Sequence, residues 1–188
     1  MRSVVCLLFA ACPAVAADPG FEPLFNGKDL TGWQSAADGK DRENAKGEPV
    51  AGKTETPMGR FAVTDGTIVV GKGKGPGVLK TEMVFAGDVT VRFEFKPGKG
   101  CNNDLYFRGV KFDIKDQSLK LNPIDVMKPM KLDEWNVLEV EVKGAEFVVK
   151  CNGEAVQTLK AKGDATPFAL RAEGGPIAYR NVQAKGGK

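Results

Sequence analysis

The octapeptide VTVRFEFK, residues 89–96, alternates without a break: Val89, Val91, Phe93 and Phe95 are apolar, and Thr90, Arg92, Glu94 and Lys96 are polar. Successive strand side chains point to opposite faces, so this order buries one face and wets the other. Pro97-Gly98 ends the segment. Further along, Leu138, Val140 and Val142 alternate with Glu139, Glu141 and Lys143, and Phe147, Val149 and Cys151 alternate with Val148 and Lys150. Asp65-Gly66 and Asn152-Gly153 are tight-turn pairs that separate apolar runs, because such turns need positive φ. No stretch sustains a helical period. About ten short strands with Gly, Pro and Asn turns predict an all-β fold, an antiparallel β-sandwich or jelly roll.

Phe21, Leu24 and Phe25 would dock a first strand before the turn at Asn26-Gly27. Residues 34–58 are polar, scattered with Gly and Pro, and show neither period, so they read as one long surface loop bordering the site. The run GKGKGPG at 71–77 lacks nucleotide-loop spacing, because Pro76 holds the third glycine position and a β-rich segment follows. It reads as a turn.

The first 17 residues, MRSVVCLLFAACPAVAA, join an early Arg2 to an apolar run and small residues at Ala14 and Ala16. This is the pattern of a secretory signal peptide, too short for a stable membrane span. Residues 18–188 then form one domain, and the mature chain is expected in the periplasm or outside the cell. A weak lipobox ending at Cys12 leaves lipid anchoring as an alternative. Two cysteines remain after the leader, Cys101 and Cys151, and an exported pair is expected to form a disulfide. Such a bridge would close a loop of about 50 residues and contribute about 4 kcal/mol.

The chain has 27 Lys and Arg against 24 Asp and Glu, interspersed and without a basic run, which argues against nucleic acid as a partner. There is no His, which removes every Ser-His-Asp or Cys-His mechanism in its usual form and makes a zinc site from two thiols improbable. Acid–base chemistry must come from carboxylates, Lys, Tyr or a bound metal.

Chemistry-bearing side chains concentrate in CNNDLYFRGVKFDIKD, residues 101–116. On a strand, Lys111 and Asp113 share a face. A bulge at Gly109 would turn Arg108 toward that face, where Asp104 could join them. This patch is the candidate site, and an ordinary outward face of a sandwich strand is the alternative. Asp104 also reads as a turn residue, and Glu173 as an ion-pair partner of Arg171 or Arg180. Trp33 and Trp135 read as core anchors or as sugar-stacking platforms.

LFNGKDLTGW near the start, Tyr106-Phe107-Arg108, Glu134-Trp135-Asn136, Cys151-Asn152-Gly153-Glu154 and the run from Gly175 to Val182 occur in that order. Together they resemble the 3-keto-disaccharide hydrolase domain family, over nearly the whole mature chain. The resemblance implies a concanavalin-like sandwich, a small saccharide as partner, and cleavage of 3-keto-glycosides. It assigns Asp104, Arg108, Lys111, Asp113 and Glu173 to the site. Lys111 stands where the family pattern has Glu, Asp113 where it has Gln, and Glu173 where many relatives carry His. A 3-ketone acidifies the hydrogen at C2, and the oxygen on C1 can then leave by β-elimination. Arg108 or Lys111 would stabilise the enolate oxygen, a role worth about 3–4 kcal/mol per well-placed donor. Asp113 or Glu173 would be the base and Asp104 the acid. No cofactor is implied; a divalent metal and the oligomeric state stay open. A saccharide-binding module without turnover, or an interaction domain, would use the same fold.

Overall fold

The structure is a computed structural model that describes residues 19–39, 42–71, 73, 77–119 and 127–187. The leader and Cys12 lie outside the described residues. Among the described residues there are fourteen strands and no helix, arranged as two antiparallel sheets. No helix there is long and apolar enough to cross a membrane.

The larger sheet is built on β7 (Val89–Pro97), the alternating octapeptide plus one residue. One side of β7 pairs with β10 (Asn136–Lys143), followed outward by β11 (Glu146–Cys151) and β12 (Glu154–Lys160). The other side pairs with β14 (Ile177–Gly186), then β5 (Thr67–Val70) and β4 (Phe61–Thr64), with the two-residue β1 (Glu22–Pro23) also on β14. The smaller sheet runs β3 (Glu48–Pro49), β2 (Trp33–Ala37), β6 (Gly77–Ala86), β13 (Ala165–Gly174), β8 (Asn102–Phe107), β9 (Val110–Lys115). The expected sandwich is therefore present. The supposed loop at 34–58 is partly strand, because β2 at its start pairs with β3 midway along it, Gln34 with Pro49 and Ser35 with Glu48.

The sheets close on one apolar core fed by the inward half of each alternation. Phe93 of the larger sheet packs on Phe168 of the smaller at 5.7 Å between ring centroids and on Tyr179 at 5.9 Å. Trp33 is a core anchor with no exposed surface, its indole N–H donating to the Leu24 carbonyl at 2.8 Å. Trp135 is half-buried, with the Arg180 guanidinium 4.0 Å from its ring centre. The turns follow the sequence signals: Asp65-Gly66 has φ of 48° and 74°, and Asn152-Gly153 has 50° and 86°.

Two expectations are corrected. Cys101 and Cys151 do not pair; both are buried free thiols. Cys101 lies just before β8 of one sheet and its thiol bonds the Ile114 carbonyl at 3.3 Å, while Cys151 ends β11 in the other sheet opposite Leu138. Burial pushes both thiols up to about 11. Nor is Gly109 a bulge. Arg108 and Gly109, with φ of 53° and 70°, form a two-residue turn that pairs Phe107 with Val110.

Candidate functional site

Alternation along β13, β8 and β9 sorts side chains to the outer face of the smaller sheet. Ala169, Arg171 and Glu173 leave β13 on that face, Asp104 and Tyr106 leave β8, and Lys111 and Asp113 leave β9. The register aligns them: Arg171 stands opposite Asp104, which stands opposite Asp113, and Tyr106 lies between Ala169 and Lys111. Four of the five residues expected from sequence, Asp104, Lys111, Asp113 and Glu173, thus share one face.

Arg171 ties the cluster together. Its guanidinium donates to Asp104 Oδ2 at 2.7 Å and Glu173 Oε2 at 2.5 Å, and grips Asp38 with Nε and Nη2 at 3.0 and 2.9 Å. Two parallel bonds to one carboxylate suit the planar guanidinium fork. Lys111 Nζ bridges the other carboxylates, 3.3 Å from Asp104 Oδ1 and 2.6 Å from Asp113 Oδ1. Lys115 adds a contact to Asp113 at 3.3 Å. The Asp104 side chain is fully buried, whereas those of Lys111, Asp113 and Glu173 are 42%, 38% and 38% exposed. A ligand on this face meets those three groups and reaches Asp104 only through them.

Asp104 and Asp113 behave as a pair. Burial, reinforced by the hydrogen bond to Asp113, pushes Asp104 up to about 6, against the pull of Arg171. Burial acts the same way on Asp113, but the hydrogen bond from Asp104 and the Lys111 ammonium outweigh it and hold Asp113 at about 2. Two adjacent carboxylates share one proton because both ionise only against mutual repulsion. Burial alone would weaken the Lys111 ammonium, yet Asp113 and Asp104 keep it above its ordinary value. The exposed end of the pair therefore carries a fixed positive charge beside a proton-accepting carboxylate.

Arg108 lies outside the cluster. Its guanidinium is buried at the turn before β9 and donates to the carbonyls of Gly163, at 3.2 Å, and Gly87. It clamps three loops at one end of the sandwich. Sequence reading did not place Arg171, Asp38, Arg42 or Tyr106 at the site. The alternation of Ala169, Arg171 and Glu173 with Phe168, Leu170 and Ala172 carried the signal for Arg171, whereas Asp38 arrives from a loop and has no local signature. Arg42 bonds Asp38 and lies 5.1 Å from the Tyr106 ring centre. Among the described residues no group of three or more His, Cys, Asp or Glu is arranged to hold a metal ion.

The fold and this face define a class, the antiparallel β-sandwich protein with a charged, part-exposed carboxylate cluster on one sheet face. Within that class, the chain is a member of the 3-keto-alpha-glucoside-1,2-lyase-like domain family, whose model matches residues 20–185. Among proteins of curated function, none matches the sequence. Two crystal structures from Parabacteroides distasonis, each described as a putative glycosyl hydrolase, share the fold. One is 18% identical, with 88% of this chain and 93% of that chain aligned at a TM-score of 0.64. The other is 14% identical, with 88% and 98% aligned at 0.62. A Bacillus subtilis protein with a galectin-like fold is 10% identical, with 88% and 94% aligned at 0.54.

Proposed function

We propose that the outer face of β13, β8 and β9 binds a small 3-keto-glycoside and cleaves it by elimination across C1 and C2. The observation that carries this reading is the facing pair of carboxylates Asp104 and Asp113 bridged by the Lys111 ammonium, 3.3 Å from Asp104 Oδ1 and 2.6 Å from Asp113 Oδ1. Family membership supports the substrate class.

The chemistry follows from the groups present. Above about pH 6 both carboxylates are ionised, and the pair takes up its next proton with an affinity near 6. A proton taken up by Asp113 passes to Asp104, whose affinity near 6 makes the pair a stronger base at neutral pH than an ordinary exposed aspartate. Asp113 presents the accessible oxygen and takes the proton from C2. The C2–H electron pair moves onto the ketone as an enolate, whose oxygen Lys111 stabilises. The enolate collapses to a C1=C2 double bond and the C1–O bond breaks. The departing oxygen takes a proton back from the pair, and Glu173 and Tyr106 border the ring. Water added across the double bond gives net hydrolysis; without it the protein is a lyase. Asp104 is a positioning residue, since it acts through Asp113. Arg108 takes no part. Residues 1–17 support export of the mature chain, and cell fractionation of the intact precursor tests it.

The functional test is incubation of purified protein with a 3-keto-disaccharide and with its unoxidised parent, with and without added divalent metal. Release of the leaving sugar from the keto form alone is expected. Asp113→Asn and Lys111→Met, in folded protein, should each lower the rate by about 100-fold or more, the usual scale of a lost acid–base or oxyanion group. Saccharide binding without turnover under every condition would replace the enzyme with a binding module.

A further inference from the structure

The outer face of the smaller sheet is uncovered over only part of its width. On the β2 and β6 side it carries small residues: Ala36, Val78 and Ala169 are buried there, with Ala45 and Tyr106 packed against them. Ala45, from the chain at 42–47, covers them together with Tyr106 of β8. Three contacts pin that segment. Glu43, itself buried, accepts from the Gly109 amide at 2.6 Å, fastening one end to the β8–β9 turn. Lys80, buried on β6, donates to the carbonyls of Glu43, at 3.3 Å, and Ala45. Gly47 approaches so closely that a Cβ there would stand 2.6 and 2.8 Å from Gln34 Oε1 and Cβ and 3.0 Å from Lys80 Cε. Arg42, over the Tyr106 ring, sets the edge of the segment next to the carboxylates.

We propose that residues 42–47 are a fixed wall that sets substrate length, with Glu43, Lys80 and Gly47 as the residues that hold it in place. This rests on the reading of the face as a glycoside site. Exposure on this face lies at Lys111 and Asp113 of the edge strand β9 and at Glu173 at the end of β13, while Ala169, Arg171 and Asp104 beside the wall are covered. Strands lie about 4.8 Å apart, so the open strip along β9 takes one sugar ring across the sheet, with its leaving group beyond the sheet edge. A chain continuing past the oxidised ring on the walled side collides with Arg42 and Ala45. The wall therefore selects short glycosides whose oxidised sugar is terminal, and rejects oligosaccharides oxidised at an internal ring.

Lys80→Met removes both carbonyl contacts while filling similar volume, and Gly47→Val lifts the other end by direct collision. Hydrogen exchange of the amides at 42–47 reports release of the wall, and the thermal midpoint reports folding. The readout is the ratio of kcat/KM, and of Kd, for a 3-keto-disaccharide over an internally oxidised 3-keto-tetrasaccharide. Wild-type protein is expected to favour the disaccharide at least tenfold. The variants should lower that ratio about fivefold for each hydrogen bond of ordinary strength released, with kcat on the disaccharide nearly unchanged. An unchanged ratio in a folded variant whose wall exchanges freely overturns the proposal, and so does a wild type without length preference. If neither substitution frees the amides, the three residues are not the anchors and the proposal falls. Turnover with no length effect removes the wall alone. Length-selective binding without turnover removes the reaction and keeps the wall, and absence of both binding and turnover removes both.

Discussion

On the larger sheet, Arg92 meets Glu139 at 2.6 Å, and Lys150 bridges Glu139 and Glu141 at 3.3 and 3.0 Å. On the smaller sheet, Arg171 meets Asp104 at 2.7 Å and Glu173 at 2.5 Å, and Lys111 bridges Asp104 and Asp113. Residue types, strand alternation and distances are alike. Burial differs. Lys150 and Glu141 stay in partial contact with water, whereas the Asp104 side chain is fully buried and that of Arg171 is 10% exposed. Partners hold Glu141 below the ordinary glutamate range, as Lys143 and Lys150 donate to it. Burial reverses the outcome at Asp104, whose acidity is weakened although a guanidinium touches it. One face is a solvated ion-pair lattice and the other holds a proton up to about pH 6. Arg171, held in place by Asp38, and the side chains of Lys111 and Asp113 crowd around Asp104 and make the difference.

The comparison predicts its largest effect at Arg171. Arg171→Met strands Asp38 and Asp104 without their shared cation, and removing one partner of a buried pair typically destabilises by about 3–5 kcal/mol. That is a large share of the stability of a domain this size. Chemical denaturation measures it. A loss below about 1 kcal/mol would mean that this face is as wet as the other and would dissolve the distinction.

Much of this was legible in the sequence, for reasons specific to particular residues. The alternation of Val89, Val91, Phe93 and Phe95 became β7, and Asp65-Gly66 and Asn152-Gly153 became turns, since period and positive φ are local properties. Lys111 and Asp113 were placed on one face by the same periodicity. What failed was long-range. Arg108 looked like a site residue, but a two-residue turn sends its guanidinium to carbonyls at the end of the sandwich. Asp104, read as a turn residue or as the acid of the site, is the most buried group of the cluster, because its neighbours on β13 and β9 surround it. The strand at Trp33–Ala37 hid inside a polar stretch, because its outward positions are small or amide side chains under the wall. Nothing local distinguishes two cysteines in opposite sheets from a bonded pair.

A second, smaller effect sharpens the comparison through pH. Asp104 has its folded pKa raised, to about 6, so it contributes stability that is present below about pH 4 and lost as pH rises through 6. Asp113 has its folded pKa depressed, to about 2, so its contribution is present above about pH 4 and lost as pH falls through 2. The pair therefore favours the folded state most near pH 4, while the catalytic form, with both carboxylates ionised, accumulates only above 6. Turnover should rise with pH through about 6 as stability drawn from Asp104 declines. Asp104→Asn removes both slopes in that window, in kcat/KM and in unfolding free energy, while Glu141→Gln on the other sheet leaves them unchanged. If the rate profile of Asp104→Asn keeps its inflection near 6, the proton is not shared by this pair.

The smallest effect is expected where the two faces look most similar on paper. Lys150 touches two glutamates on the larger sheet, just as Lys111 touches two aspartates on the smaller. Exposed pairs gain little, because water screens the attraction and holding a long side chain in one geometry opposes it. Lys150→Met should thus change stability by less than about 1 kcal/mol, and the change should shrink further as salt is raised from 0.05 to about 0.5 M, where the screening length falls below about 5 Å. The Arg171→Met loss should keep most of its size in the same salt series, since the buried carboxylates left behind are out of reach of mobile ions. The two salt responses, measured by denaturation under identical conditions, separate burial from proximity as the origin of the difference. Equal salt sensitivity in both variants would show that distance alone governs these contacts.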